Sequence, residues 1–330
     1  MSEDLAVNIT DIEAAADRLA GEVIETPLIR NKQLDARLGA RVMIKPEILQ
    51  HGGAFKYRGA YNRLSQLTPD EKTRGVVAFS SGNHAQGVAL AAARVGCPAL
   101  IVMPADSPKI KVDNTRLYGA EIRFFDRYTE DREAIAAEIA TERGCVVVPS
   151  YDDADVIAGQ GTVGLELVLQ AKRMPGALPD MVVCPVGGGG LISGLSTAVK
   201  ADWPNVEVWG VEPAAFDDTQ RSLASGKREA NAPTARSFCD ALQSPTPGAL
   251  TFPIMRKNLA GVVTVTDAEV SEAVRYAFNT LKLVVEPGGC VGLAALLSGK
   301  LDVKGKTVAV VLSGGNIDPE LHAAIMAGEA

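Results

Sequence analysis

Short apolar runs rich in valine and isoleucine alternate along this chain with longer stretches in which alanine recurs among polar residues. Apolar runs bounded by glycine, proline or serine read as buried strands, and the alanine-rich stretches read as helices. The strand pattern stands out at 76–79, 99–103, 121–125, 181–186, 206–211 and 308–312, and an alanine-rich helix follows the first of these at 88–93. Such alternation predicts an α/β fold whose parallel sheets are covered by helices on both faces. Thr10-Asp11-Ile12-Glu13 has the form of a capping box and predicts a helix from there through Leu19. The three runs between 75 and 150, each with a helical stretch after it, predict a small α/β unit of their own. The stretch 215–247 is the least regular, and no repeat or low-complexity tract interrupts the pattern.

Composition adds limits. At 330 residues the chain is long enough for two domains with ample core, taking roughly 100–200 residues per domain. Its net charge of −7 argues against nucleic acid or an anionic membrane as partner. Cys97, Cys145, Cys184, Cys239 and Cys290 are odd in number and scattered among apolar neighbours, which fits reduced cysteines of a cytoplasmic protein. The start, Met1-Ser2-Glu3-Asp4-Leu5, is acidic and has no signal-peptide core, and no apolar run is long enough to span a bilayer.

Four polar clusters carry chemistry. In Gly53-Ala54-Phe55-Lys56-Tyr57-Arg58-Gly59-Ala60 one lysine sits between an aromatic ring and an arginine. Apolar surroundings and a nearby cation lower an amine's pKa, and a free amine forms a Schiff base with an aldehyde such as pyridoxal phosphate. A surface lysine at a helix start is the competing reading. Phe79-Ser80-Ser81-Gly82-Asn83-His84-Ala85-Gln86-Gly87 reads as strand, tight loop and helix, with N–H groups and hydroxyls turned toward a carboxylate or phosphate. A simple N-cap would explain only one or two of those residues. Val186 leads into Gly187-Gly188-Gly189-Gly190, whose backbone can close round a phosphate. A dinucleotide fingerprint fits less well, because Ser193 stands where its third small residue belongs. The run 308–312 ends in Ser313-Gly314-Gly315-Asn316, which puts a hydroxyl at the carboxyl end of a strand, where ligands lie in open α/β sheets.

With these motifs in this order, the chain resembles the fold-type II pyridoxal-phosphate enzymes, in the group of serine/threonine dehydratases and serine racemase, from about Ile12 to Asp318. The resemblance implies a large domain from 1–74 plus 151–330, a small domain from 75–150 that carries the substrate carboxylate loop, and the cofactor in the cleft between. It implies that Lys56 bonds the cofactor aldehyde, that Asn83 meets the phenolic oxygen, and that Gly187, Gly188, Gly189 and Gly190 hold the phosphate. Ser313 would face the pyridine nitrogen and Phe55 would pack near the ring. Ser80, Ser81, Gly82, Asn83 and His84 would hold the substrate carboxylate, with the Ser81 hydroxyl on the face opposite Lys56. Glu212, the carbonyl of Phe216 and Asp218 resemble the divalent-cation site of the racemase-like members, suited to Mg²⁺ or Ca²⁺; a solvated acidic turn is the alternative.

The activity so implied is β-elimination from a β-hydroxy amino acid. Lys56 would remove the α-proton, the hydroxyl would leave, and L-threonine or L-serine would yield 2-oxobutanoate or pyruvate with ammonia. Racemisation by way of Ser81 and dehydration of β-hydroxyaspartate stay open on the same scaffold. Asp240-Ala241-Leu242-Gln243-Ser244 stands where many relatives have Asp-Gly, which leaves the admitted side chain undecided. A cofactor- or amino-acid-binding protein without catalysis is the contrasting class, disfavoured because Lys56 and Ser81 are both present. A homodimer acting on a small amino acid is implied. Only twelve residues follow Asp318, so the effector-binding domain that brings isoleucine feedback is not expected.

Overall fold

The computed structural model describes residues 5–330 apart from 128, 175 and 177. Among the described residues ten strands form two sheets: β1 (Ile29–Arg30), β2 (Arg41–Pro46), β3 (Val76–Phe79), β4 (Ala99–Pro104), β5 (Glu121–Phe125), β6 (Val146–Val147), β7 (Met181–Pro185), β8 (Glu207–Pro213), β9 (Gly261–Val265) and β10 (Thr307–Leu312). The larger sheet has the order β1-β2-β10-β7-β8-β9 and is parallel except for β1. The smaller sheet, β5-β4-β3-β6, is parallel throughout. The fold is thus α/β, as the alternation predicts.

Both sheets are buried on two faces, and the side-chain alternation of a strand sorts the core accordingly. Val42, Ile44, Val183, Val308 and Val310 pack into one layer, and Met43, Val182, Cys184, Ala309 and Val311 into the layer on the opposite face. In the smaller sheet Val76, Ala78, Ile101 and Met103 face one way and Val77, Leu100 and Val102 the other.

The sequence reading changes at the first helix cap and at several strands. The first helix runs Ile9–Leu19 and its cap is Asn8, whose side chain accepts from the N–H groups of Thr10 and Asp11 while Asp11 reaches back to Asn8. Asn8 is extended and can act as a cap, whereas Thr10 already lies in the first turn. Four strands, β1, β2, β6 and β9, escape the pattern. β6 is only two residues long, and β2 reads as mixed because it carries Arg41 and Lys45. Lys45 is nonetheless fully buried: its Nζ donates to the carbonyl of Thr26 at 2.7 Å and to Glu166 at 2.6 Å. Among the described residues no helix is long and apolar enough to cross a membrane.

Candidate active site

The carboxyl ends of β3, β7 and β10 open onto one cleft, as the geometry of parallel sheets favours. It is lined by Phe55, Lys56, the segment 80–84, the segment 187–191 and Ser313, so four sequence motifs that lie far apart in the chain come together there.

Lys56 is the first residue of the helix Lys56–Ser65. Its Nζ lies 5.2 Å from the centre of the Phe55 ring and donates to the carbonyl of Ser150 at 2.6 Å. Burial lowers its pKa to about 8. The neighbouring arginine has no share in this, contrary to the sequence expectation. Arg58 turns away into the protein, where it is held by Glu47 at 2.8 Å and Glu166 at 2.6 Å, so its charge is already answered. Lys56 is made a weak base by dehydration alone.

The glycine run starts the helix Gly190–Asp202, whose N-cap Gly189 offers no side chain to the first-turn N–H groups. An anion satisfies such groups well. Only glycine can build this turn: Gly189 has φ +94°, and a Cβ on Gly188 would lie 2.4 Å from the Tyr151 ring. This uncapped cradle fits a phosphate, and the dehydrated lysine in the same cleft fits an aldehyde, so the residues present suit pyridoxal phosphate.

The loop after β3 begins the second uncapped helix of the cleft, Asn83–Val95. Ser80 accepts from the N–H of Gly82 at 3.1 Å, and Ser81 lines the cleft. Behind the loop stands Lys111, close enough that a Cβ on Gly82 would meet its Nζ at 3.0 Å. His84 donates from Nε2 to the carbonyl of Val148, 2.9 Å away, while its other ring nitrogen is buried without a partner. Burial, with Lys56 nearby, pushes its pKa down to about 3, so it is a neutral ring in the loop. Asn83 accepts from the Asn316 amide at 2.9 Å and donates to Glu286, which leaves one amide N–H of Asn83 unspent. Ser313 is almost fully buried at the end of β10.

Sequence reasoning misses the charges beneath this floor. Lys111 is buried between Asp240 and Glu286, each 2.7 Å from its Nζ. Burial works against its charge, but the two carboxylates prevail and raise its pKa. None of the three belongs to a motif of its own: Lys111 lies in a helix, Asp240 in the irregular stretch, and Glu286 before Pro287. Tyr151 and Arg132 also line the cleft, as do Ala241 and Ser244 from the segment flagged in the sequence.

The three expected cation ligands do not share a loop. Glu212 lies inside β8, and Asp218 opens the helix Asp218–Ser225. Both oxygens of Glu212 accept N–H groups of that helix's first turn, from Thr219 at 2.9 Å and Gln220 at 3.0 Å, so this carboxylate serves as the missing cap. Asp218 accepts from Asn231 at 2.6 Å, and its second oxygen is buried with no partner. Burial and the adjacent carboxylate push Glu212 up to about 8, and burial pushes Asp218 up to about 6. No group of three or more acidic, histidine or cysteine side chains able to hold a metal occurs among the described residues. The unpartnered Asp218 oxygen is the feature of this corner that fits a cation.

Known proteins share both the sequence and the fold. The family model described as pyridoxal-phosphate dependent enzyme matches residues 19–314. The chain is similar to an L-threo-3-hydroxyaspartate ammonia-lyase of Pseudomonas sp, with 46% identity over 96% of this chain and 98% of that protein. It is similar to a serine racemase of Schizosaccharomyces pombe, with 39% identity over 98% of each. Among solved structures it resembles a threonine deaminase of T.th., at a TM-score of 0.88 and 44% identity over 94% of this chain and 99% of that one. It also resembles maize serine racemase, at a TM-score of 0.91 and 36% identity over 98% of each.

Proposed function

The chain belongs to the pyridoxal-phosphate dependent enzymes, and from that premise we propose that it is an ammonia-lyase that removes the β-hydroxyl of a β-hydroxy amino acid, with L-threonine and L-serine as its neutral substrates. The observation that carries this reading is the convergence in one cleft of a dehydrated Lys56, an uncapped glycine turn, an uncapped polar loop and Ser313.

In this reading Gly187 to Gly190 hold the phosphate, Phe55 covers the ring, Ser313 faces the ring nitrogen, and the free N–H of Asn83 meets the phenolic oxygen. When bound, the cofactor supplies an aldehyde for the amine and a conjugated ring that takes up the electron pair left at Cα. Ser80 to His84 hold the substrate carboxylate, assisted by the helix N-terminus at Asn83. Lys56 is the base at Cα: with a pKa near 8 it is free of its proton in a substantial fraction of molecules at neutral to mildly alkaline pH. Ser313 is a hydroxyl rather than a carboxylate, so it does not hold the ring nitrogen protonated.

A second reading, dehydration of 3-hydroxyaspartate, is favoured by one specific observation: the cleft also exposes the cation Arg132. It is in keeping with the activity named for the Pseudomonas relative. A cation on Asp218, Glu212 and the Phe216 carbonyl is part of the same proposal, supported by the unpartnered Asp218 oxygen.

The test is to load the purified protein with pyridoxal phosphate and measure ammonia and 2-oxo acid released from L-threonine, L-serine and L-threo-3-hydroxyaspartate. Equimolar ammonia and oxo acid from at least one of them is the expected result. A yellow protein that binds these amino acids and releases neither product is not a lyase of this class.

A further inference from the structure

The carbonyl oxygen of Gly188 accepts two hydrogen bonds from buried groups outside the cleft lining, the Thr251 hydroxyl at 2.7 Å and the N–H of Gly248 at 3.2 Å. Thr251 is fully buried and opens the helix Thr251–Asn258. Its hydroxyl is spent on the glycine turn and not on its own helix, whose cap residue Leu250 makes no side-chain bond.

The donors are themselves held. The two carboxylate oxygens of Asp152 accept from the N–H groups of Ala249 at 2.9 Å and Leu250 at 2.7 Å. A Cβ on Gly248 would lie 2.4 Å from Asp152 Oδ1 and 2.8 Å from Thr251 Oγ1, so the segment closes this tightly only with glycine there. Asp152 follows Tyr151, whose ring occupies the space that a Gly188 side chain would need.

The peptide between Gly188 and Gly189 joins two residues that lack Cβ atoms, and local sterics alone let it flip. It is trans, so the Gly188 carbonyl and the Gly189 N–H point in opposite directions. With the carbonyl drawn toward Thr251, the Gly189 N–H turns the other way, to the cleft that Gly189 lines. A flipped peptide would set a carbonyl oxygen against an anion. Two donors on one carbonyl fill both of its lone pairs and decide between these orientations.

We propose that Thr251 is a positioning residue for the cofactor phosphate: with the Gly248 N–H it pins the Gly188 carbonyl and keeps the Gly189 N–H presented to the anion in the turn. This rests on the reading in which Gly187 to Gly190 take the phosphate. Thr251 meets neither cofactor nor substrate and acts through the plane of one peptide.

The experiment titrates the full-length protein, freed of cofactor, with pyridoxal phosphate and with pyridoxal, which keeps the aldehyde but has no phosphate. Thr251→Val, close in shape but without the hydroxyl, weakens pyridoxal phosphate by about tenfold and pyridoxal by less than about twofold. Thr251→Ser, which keeps the hydroxyl, restores most of the loss. Equal weakening of both ligands overturns the assignment, because Thr251 then acts on the fold, and so does an unchanged affinity for pyridoxal phosphate. A wild type that binds pyridoxal as tightly as pyridoxal phosphate overturns it together with the phosphate assignment of the turn. A second measurement needs no variant: in wild-type protein with nitrogen-labelled glycine, inorganic phosphate moves the Gly189 amide proton downfield as a hydrogen bond forms. A Gly189 signal that ignores saturating phosphate overturns the proposal even where Thr251→Val does not fold. Neither measurement uses turnover, so both still decide Thr251 if the elimination reading fails.

Discussion

The backbone N–H of Phe55 donates to the carbonyl oxygen of Ser313 at 3.1 Å, so the residue before Lys56 hangs from the end of β10. Ala54 bridges Gly314 on the same stretch, and the N–H of Gly315 reaches the carbonyl of Gly53 at 2.9 Å. The lysine and the serine of the cleft are thereby set against each other by main chain. Side-chain substitution at either leaves the other in place, which makes both open to test.

Lys56→Ala removes the visible absorption of covalently held cofactor and several orders of magnitude of ammonia release, since both the link and the base disappear. In cofactor-free protein the lowered pKa has a stability consequence. Folding penalises the protonated amine, so the penalty is fully present below pH 8 and vanishes as pH rises toward the unfolded value near 10.5. Lys56→Met, without that penalty, is therefore more stable than wild type at pH 7, and the gap closes between pH 8 and 10.5. Urea unfolding across that range gives the answer, and a gap that widens with pH contradicts the burial argument.

Ser81→Ala separates the two faces of the substrate. With Ser81 serving the face opposite Lys56, the variant loses racemisation and any attack on D-serine while retaining some elimination from an L-substrate. Chiral analysis of serine after incubation gives the result. Complete loss of L-substrate turnover with cofactor still bound reassigns Ser81 to protonating the departing hydroxyl.

Lys111→Met leaves Asp240 and Glu286 facing each other without a cation in the buried floor of the cleft. Breaking one partner out of a buried ion pair costs about 3–5 kcal/mol. Adding Glu286→Gln removes one of the stranded charges and restores part of the loss. Denaturant midpoints of the single and double variants measure both effects, and a loss under about 1 kcal/mol for Lys111→Met means that water already reaches the pair.

If a cation binds at Asp218 and Glu212 as proposed, it stabilises the folded protein by mass action, by about 2.7 kcal/mol at a hundredfold excess over its Kd. Chelator lowers the melting temperature, Mg²⁺ or Ca²⁺ restores it, and Glu212→Gln makes the protein indifferent to either. If metal analysis finds no ion and chelator leaves melting unchanged, Glu212 is a helix cap and nothing more.

Much of the cleft could be read without coordinates because its parts are local. A strand running into four glycines, or into Ser-Ser-Gly-Asn-His, announces a turn and an uncapped helix through steric and hydrogen-bonding rules that act over a few residues. The same locality made β2 and β6 hard to read, since a strand with two cations and a strand of two residues have no periodic signature. The first cap shifted by two residues for a related reason: Asn8 and Thr10 both have capping chemistry, and backbone extension decides between them.

What the sequence by itself determined is the set of turns, the α/β class and the identity of the polar segments that line the cleft. Tertiary structure alone decided which charges answer one another. Arg58 belongs to Glu47 and Glu166 rather than to its neighbour Lys56, Lys111 is matched by acids from two distant segments, and Arg132 is left open to the cleft. The reason is physical. Turn and helix preferences come from contacts within a few residues, whereas a charge's strength depends on how far it is dehydrated and on which opposite charge lies within a few ångströms through space.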